Sequence, residues 1–305
     1  MPLVHHLLRD LGEERIEGAA RRGRTLVTSG DRLLLWRLPD LRMDVVRQEG
    51  AFGRAVCLAE VESRLNVVAT GTDDRGLVRF EAPDWRRREI DRGVVTRDIL
   101  PAVLHGRRGV LVVHRGAQVR FYELASGAAR EIYSFYSAAE QGGLMLRDVD
   151  GDGRADILCG NYWLQCPPAL ELPWRLYAIR IWSDEPASVF AWSGPHLVAA
   201  QREGAGARLS WFEKPADPRE LWGEHPIEGT LELDHPGAIA AAEFGLAVGE
   251  RGGAGRLILY RDWRPQVLGS GAGVVFLHPM DWNRDGRADL LMVGRRSLAW
   301  WENRG

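Results

Sequence analysis

Short apolar stretches of strand length alternate with polar, glycine-rich segments along the 305-residue chain. A short strand rich in aromatic residues recurs seven times, and its marker aromatic residues are Trp36, Phe80, Tyr122, Trp163, Phe212, Tyr260 and Trp301. Successive markers are 41 to 49 residues apart, about 44 on average. No window of about 11 residues or more has the period of a helix. The pattern therefore predicts an all-β repeat protein.

Each repeat contains two apolar runs, then the aromatic strand, then a more polar strand. In the second repeat these segments lie at 55–58, 66–69, 79–83 and 87–90. Four short strands in about 44 residues are typical of one β-propeller blade. We therefore predict a single domain over 1–305 that is a seven-bladed β-propeller. The predicted blades are 13–49, 50–93, 94–136, 137–184, 185–230, 231–271, and 272–305 together with 1–12.

The last repeat has only three strands before Gly305, whereas a polar strand at 3–8 precedes the first repeat. We predict that this N-terminal strand is the missing fourth strand of the last blade. It would close the ring and cover an exposed sheet edge.

Composition and charge narrow the possible functions. The chain has 40 basic and 42 acidic residues, a net charge of −2, so nucleic acid is not an expected partner. No apolar run approaches the roughly 18 residues that a membrane span needs, so no span is expected. No signal peptide is recognisable, which favours a cytoplasmic protein; the alternative is a secreted or periplasmic protein whose signal was removed.

Two residue types are too scarce for some kinds of chemistry. Lys214 is the only lysine, which argues against Schiff-base catalysis and a Walker A loop, because both need a placed lysine. The sequence has three cysteines and no Cys-x-x-Cys motif, so a disulfide framework is not expected.

Two nearly identical acidic segments, 148–156 and 281–289, carry the strongest chemical signal. Each has oxygen-bearing side chains at positions 1, 3, 5 and 9 and Gly at position 6, a pattern that suits a cation of Ca²⁺ size. An EF-hand would also need Glu at position 12, where this chain has Cys159 and Met292. A plain acidic, glycine-rich turn is the simpler alternative.

These loops, with the nearby segments 211–215 and 300–303, resemble the FG-GAP or VCBS repeat family, to which the integrin alpha-subunit propellers belong. The blade pattern extends over the whole chain, but the specific motifs cover only the fourth and seventh blades. The resemblance implies two structural calcium ions. The ligands it implies are Asp148, Asp150, Asp152, Asp156 and the carbonyl of Arg154 in one loop, and Asp281, Asn283, Asp285, Asp289 and the carbonyl of Arg287 in the other.

If the acidic loops mark one face of a propeller, the turns after each second strand lie on the opposite face, around the central channel. These turns carry polar pairs that include Glu250 with Arg251 and Arg295 with Arg296. The candidate ligand-binding residues on that face are Arg97, His114, Asn161, Tyr162, Arg202, His235 and Glu250. A solvated ring of hairpin turns is the alternative interpretation.

The family resemblance favours a calcium-stabilised interaction module that binds a carbohydrate or a protein partner through its channel face. The alternative is a propeller enzyme, a polysaccharide lyase or sugar dehydratase, in which His114, Tyr162, His235 and Arg97 are available for acid and base chemistry. No motif fixes a catalytic residue, and the fold alone does not separate the two classes.

Overall fold

The apolar repeats of the sequence form β-strands, and the residues described contain no helix. The structure is a computed structural model that describes residues 3–71, 75–115, 117–136, 139–182, 189–201, 206–227 and 231–305. Within those residues, therefore, no helix has the length and apolar character needed to cross a membrane.

The chain divides into two compact units. Unit 1 comprises Met1–Ile16, Val189–Lys214 and Trp222–Gly305, and unit 2 comprises Glu17–Ser188 and Pro215–Leu221. Each unit consists of small antiparallel sheets with their own apolar clusters.

Unit 2 contains two four-stranded sheets and one seven-stranded sheet. The first four-stranded sheet contains β2 (Ile16–Arg22), β3 (Thr25–Gly30), β4 (Leu33–Arg37) and β5 (Arg42–Arg47). The seven-stranded sheet contains β6 (Phe52–Val61), β7 (Arg64–Gly71), β8 (Arg75–Glu81), β9 (Arg86–Leu104), β10 (Arg107–His114), β11 (Gln118–Glu123) and β12 (Ala129–Ser134). The other four-stranded sheet contains β13 (Met145–Arg147), β14 (Asp156–Cys159), β15 (Tyr162–Gln165) and β16 (Arg175–Ala178).

The long strand β9 joins two of the predicted blades. Its part up to Val95 pairs with β8, and its part from Thr96 onward pairs with β10. The predicted boundary at 93/94 has no turn, because Val94, Val95 and Thr96 are β-branched and favour extended backbone. The prediction of seven separate blades is thus wrong: the described residues form five four-stranded sheets and one of seven strands.

Unit 1 contains three four-stranded sheets. The first contains β17 (Val189–Ser193), β18 (His196–Ala200), β19 (Leu209–Glu213) and β20 (Gly223–Pro226). The second contains β21 (Pro236–Ala242), β22 (Gly245–Glu250), β23 (Leu257–Arg261) and β24 (Arg264–Gly269). The third contains β25 (Val274–Met280), β26 (Asp289–Gly294), β27 (Ser297–Asn303) and the N-terminal strand β1 (Leu3–Asp10), in the order β1-β27-β26-β25.

The N-terminal strand completes the last sheet, as the sequence predicts. Leu3 lies opposite Asn303 and Asp10 lies opposite Ser297, in an antiparallel register. Leu3 is buried in the same apolar cluster as Trp301. The edge that β27 would otherwise expose is therefore covered.

Burial explains the aromatic repeat. All seven marker residues are buried, and Trp36 and Trp163 are among the largest side chains that are fully enclosed. Their polar edges are satisfied, since the Nε1 of Trp36 donates to Thr28 Oγ1 and the Nε1 of Trp163 donates to the Pro218 carbonyl. Each marker thus contributes a large apolar area to the buried core.

Candidate metal-binding loops and an arginine-lined cleft

The first Asp loop, residues 148–156, connects β13 to β14 and folds around one carboxylate. Asp148 accepts the backbone N–H groups of Gly151, Asp152 and Gly153 at 2.8, 3.1 and 2.9 Å. Gly151 and Gly153 have φ angles of 80° and 83°, a region that glycine adopts without steric cost. The loop geometry is therefore set by its own side chain and by its glycines.

Asp156 anchors the end of this loop in the core. Its side chain is fully buried, and its two oxygens accept the N–H groups of Val149 and Cys166 at 2.9 and 2.7 Å. Burial raises the pKa of Asp156 to about 6, because a charged carboxylate is poorly solvated there. The two N–H donors compensate part of that effect.

Three predicted ligands of the first loop come together. Carboxylate oxygens of Asp148, Asp150 and Asp156 lie within 4.8 Å of one another. Asp152 points elsewhere, since its carboxylate is paired with the guanidinium of Arg154. The clustered donors are all oxygens, the ligand type that Ca²⁺ prefers, so this donor set fits a calcium ion.

The second Asp loop, residues 281–289, connects β25 to β26 and repeats much of this frame. Asp281 accepts the N–H groups of Asp285 and Gly286, both at 3.1 Å. The buried Asp289 accepts those of Trp282 and Asn303 at 3.0 and 2.7 Å, and burial raises its pKa. Within the part of the chain that is described, the first loop is the one place where three such acidic or metal-binding side chains gather this closely.

The two loops differ at position 3 in an informative way. In the first loop Asp150 accepts a hydrogen bond from Gln165 of β15 at 2.6 Å. In the second loop the amide stands at position 3, where Asn283 donates to Glu302 of β27 at 3.4 Å. The first loop thus has the carboxylate at position 3 and the amide on the adjacent strand, and the second loop has the reverse arrangement. Each loop therefore has four carboxylates in it or beside it.

Glu302 was not among the predicted ligands, because it lies on a strand rather than in the motif. It also accepts hydrogen bonds from Arg304 at 2.8 Å and pairs with His6 of β1 at 3.0 Å, and these contacts lower its pKa. Strand register places Glu302 where Gln165 lies in the fourth repeat, since Leu290 is opposite Trp301 as Ile157 is opposite Leu164. Spacing from the aromatic markers does not show this, because Glu302 follows its marker by one residue and Gln165 by two.

Among the predicted channel-face residues of unit 2, His114 is buried. Its Nε2 lies 2.8 Å from the hydroxyl of Tyr122, which in turn donates to Asp91 at 2.5 Å. Burial lowers the pKa of His114, and the nearby charge of Arg120 lowers it further. These contacts join three strands of one sheet and make His114 a poor candidate for chemistry on an external ligand.

The other three candidates in unit 2 also have partners within the protein. Asn161 is buried and donates its side-chain amide to the Trp182 carbonyl at 3.1 Å. Tyr162 is half-buried and stacks on Phe135 with ring centroids 5.7 Å apart. Arg97 pairs with Glu140 at 3.0 Å.

In unit 1, Glu250 is fully enclosed and doubly bonded to Arg256, at 2.6 and 2.5 Å. It also accepts the N–H of Asp234 at 2.9 Å, while His235 is paired with the Asp234 carboxylate. Glu250 thus fixes a hairpin, and its role in ligand binding stays a prediction. The candidate Arg202 lies outside the described residues.

A cleft of about 610 Å³ lies beside these residues in unit 1. We call it the arginine cleft. It is lined by four arginines, a serine and small residues of the turns: Arg15, Arg251, Gly252, Gly253, Ala254, Gly255, Gly271, Ala272, Gly273, Arg295, Arg296 and Ser297. Sequence analysis placed Arg251, Arg295 and Arg296 in turns of the predicted channel face but did not single them out.

Comparison with known proteins identifies the fold. No protein-family model matches the chain, and no curated protein does. A solved structure of U3-55K aligns with a TM-score of 0.60 at 12% sequence identity, covering 99% of this chain and 100% of that one. At this identity the likeness shows the fold alone. The chain is an all-β protein with a β-propeller arrangement of small, mainly antiparallel sheets.

Proposed function

We propose that this chain is a calcium-stabilised β-propeller of the FG-GAP or VCBS type that acts as a binding module for a carbohydrate or protein ligand. The observation that carries the calcium part is the cluster of Asp148, Asp150 and Asp156 oxygens within 4.8 Å.

Calcium would have a structural role in these loops. In the first loop Asp148, Asp150 and Asp156 would hold it, with the Arg154 carbonyl as a further donor. In the second loop Asp281, Asn283, Asp285 and Asp289 would hold it, with the Arg287 carbonyl. The ion would neutralise like charges that repel one another and so bind the folded chain in preference to the unfolded chain.

The arginine cleft supports the binding part of the proposal. Apart from Ser297, the first residue of β27, its residues come from hairpin turns and connections. Ligand sites of propellers and related folds are commonly built from such loops on a rigid scaffold. The enzyme alternative has weaker support, because His114 is buried against Tyr122 and Asp91.

Calcium stoichiometry tests the first part. Wild type should bind two ions, as measured by calorimetry on chelator-treated protein, and EDTA should lower the melting temperature. Asp148→Asn and Asp281→Asn should each reduce the stoichiometry to one, whereas the exposed control Asp40→Asn should bind two. Two ions bound by both loop variants would contradict the assignment.

A screen of acidic polysaccharides separates the binding module from the enzyme. A lyase acting on uronic-acid polymers forms an unsaturated product that absorbs in the ultraviolet. We expect ligand binding, detected by a raised melting temperature, with no new absorbance. New absorbance that His114→Gln abolishes would favour the enzyme instead.

A further inference from the structure

The arginine cleft concentrates positive charge in a chain whose net charge is −2. It is lined by four arginines, Arg15, Arg251, Arg295 and Arg296. They lie in the connections between β1 and β2, between β22 and β23, and between β26 and β27. Arg15 and Arg296 are exposed, and Arg251 and Arg295 are half-buried. A concave surface lined by one sign of charge focuses the field and attracts a ligand of opposite sign.

Among the described residues that line the cleft, none is acidic. Two carboxylates near the β22–β23 hairpin have partners, Glu250 with Arg256 and Asp234 with His235. Arg15, Arg251 and Arg295 also have partners within the protein. A bound anion would add to those contacts.

Glycine backbone forms part of the cleft wall and brings two turns close together. A Cβ atom on Gly255 would lie 2.6 Å from the backbone nitrogen of Gly273, so neither turn tolerates a side chain there. Positive φ angles alternate with ordinary ones along 253–255 and 271–273, at Gly253, Gly255, Gly271 and Gly273. Alternation of this kind is typical of anion sites, where peptide N–H groups point into a concavity. Here the N–H groups of Gly255 and Gly271 donate to the carbonyls of Gly252 and Ala254, both at 2.8 Å, so a contribution to an anion would come from the other N–H groups of these turns.

The charge count indicates which anions fit. In the neighbouring hairpin a single guanidinium, that of Arg256, is enough to pair both oxygens of the Glu250 carboxylate. Each guanidinium has five N–H donors, so an arginine that already has one partner keeps donors for an anion. Four arginines therefore offer more donors than one carboxylate accepts and suit a group with several oxygens, such as phosphate or sulfate. A volume of about 610 Å³ also leaves room for the remainder of a small molecule.

We infer that the arginine cleft binds a small molecule that carries a phosphate or sulfate group. The inference rests on the proposed binding function and specifies its ligand class. Phosphate and sulfate share the chemistry that the cleft recognises, so the two sources must be separated by experiment.

The test is calorimetric titration of the full chain with four probes: inorganic phosphate, inorganic sulfate, a sugar phosphate and a sulfated disaccharide. We expect binding that weakens as sodium chloride rises, and tighter binding of one organic probe than of its free ion. Tighter binding of the sugar phosphate identifies a phosphorylated ligand, and tighter binding of the sulfated disaccharide identifies a sulfated one.

Variants locate the site. Arg251→Gln with Arg296→Gln should weaken binding of the preferred probe by roughly tenfold or more, since two charge-assisted contacts are lost. Ala254→Glu, which adds a carboxylate at an exposed wall position, should weaken it without removing any arginine. Arg264→Gln removes an exposed charge of the same unit away from the cleft and should leave the affinity unchanged.

The inference is overturned if none of the four probes binds at millimolar concentration, or if Arg264→Gln weakens binding as much as the cleft variants. Binding of an RNA oligonucleotide with no binding of the small probes would also overturn it. Its failure differs from failure of the proposed function: a neutral glycan bound equally by wild type and by the cleft variants would keep the binding module and discard the anionic ligand.

Discussion

The two Asp loops share six of nine residues, yet they obtain their four carboxylates differently. The first loop carries all four in its own sequence, and its strand neighbour Gln165 is neutral. The second loop has Asn283 in place of the third acid and receives a carboxylate from Glu302 on the adjacent strand. A residue on an adjacent strand can therefore supply a carboxylate that the loop motif itself lacks.

The strands that flank the two loops also differ. Gln165 is paired with β16, which follows it closely along the chain, whereas Glu302 is paired with β1 from the opposite end of the sequence. The second loop therefore depends on a segment that is distant in the sequence, and three changes test this difference between the loops.

The largest effect is expected from deleting residues 1–10. The deletion removes the whole ladder between β1 and β27 and the buried Leu3, so stability in urea should fall by at least about 3 kcal/mol. Calcium affinity should fall at the second loop only, because His6 is bonded to Glu302. The variant His6→Gln keeps the strand and changes only the residue bonded to Glu302, so it should keep most of the stability and weaken calcium at the second loop alone. Unchanged stability, or equal loss of calcium at both loops, would contradict the prediction.

A smaller effect is expected from exchanging the acid at position 3. Glu302→Gln should weaken calcium at the second loop, and Asp150→Asn should weaken it at the first, each by roughly tenfold for one lost charge near the ion. Adding Asn283→Asp to Glu302→Gln copies the first loop and should restore the affinity. If Glu302→Gln changes nothing, Glu302 is only a partner of Arg304 and His6.

The smallest effect concerns backbone conformation at position 4. Gly151 has a φ of 80° in the first loop, and Arg284 has a φ of 65° in the second, a region unfavourable for a residue with a side chain. Arg284→Gly should therefore stabilise the protein by about 0.5 kcal/mol, after allowing for the greater freedom of glycine in the unfolded chain. Gly151→Arg should destabilise it. A matched pair of urea denaturation curves measures both.

Much of the fold is predictable because every aromatic marker is buried, so burial repeats with the sequence. The pairing of β1 with β27 follows from counting strands. The continuity of β9 does not follow from the repeat, because the repeat places a boundary where β-branched residues continue the strand.

The site is less predictable, because partners are set by register between strands. His114 and Glu250 look available in the sequence, but Tyr122 and Arg256 reach them only once the sheets form. For the same reason, the sequence does not show that Glu302 lies beside Asn283. Nor does it show that Arg15, Arg251 and Arg295 line one cleft. Motif spacing reports neighbours along the chain and not those across a sheet.

The pairing of β1 with β27 also has a consequence for the order of events during synthesis. His6 and Glu302 are 296 positions apart, so β1 leaves the ribosome long before its partner exists. Joining such distant segments requires closure of a very long loop, and such pairings form slowly. The earlier sheets can form as the chain emerges, but β1 remains without a neighbour until translation has passed Asn303. Docking of the first strand is therefore the last step of assembly.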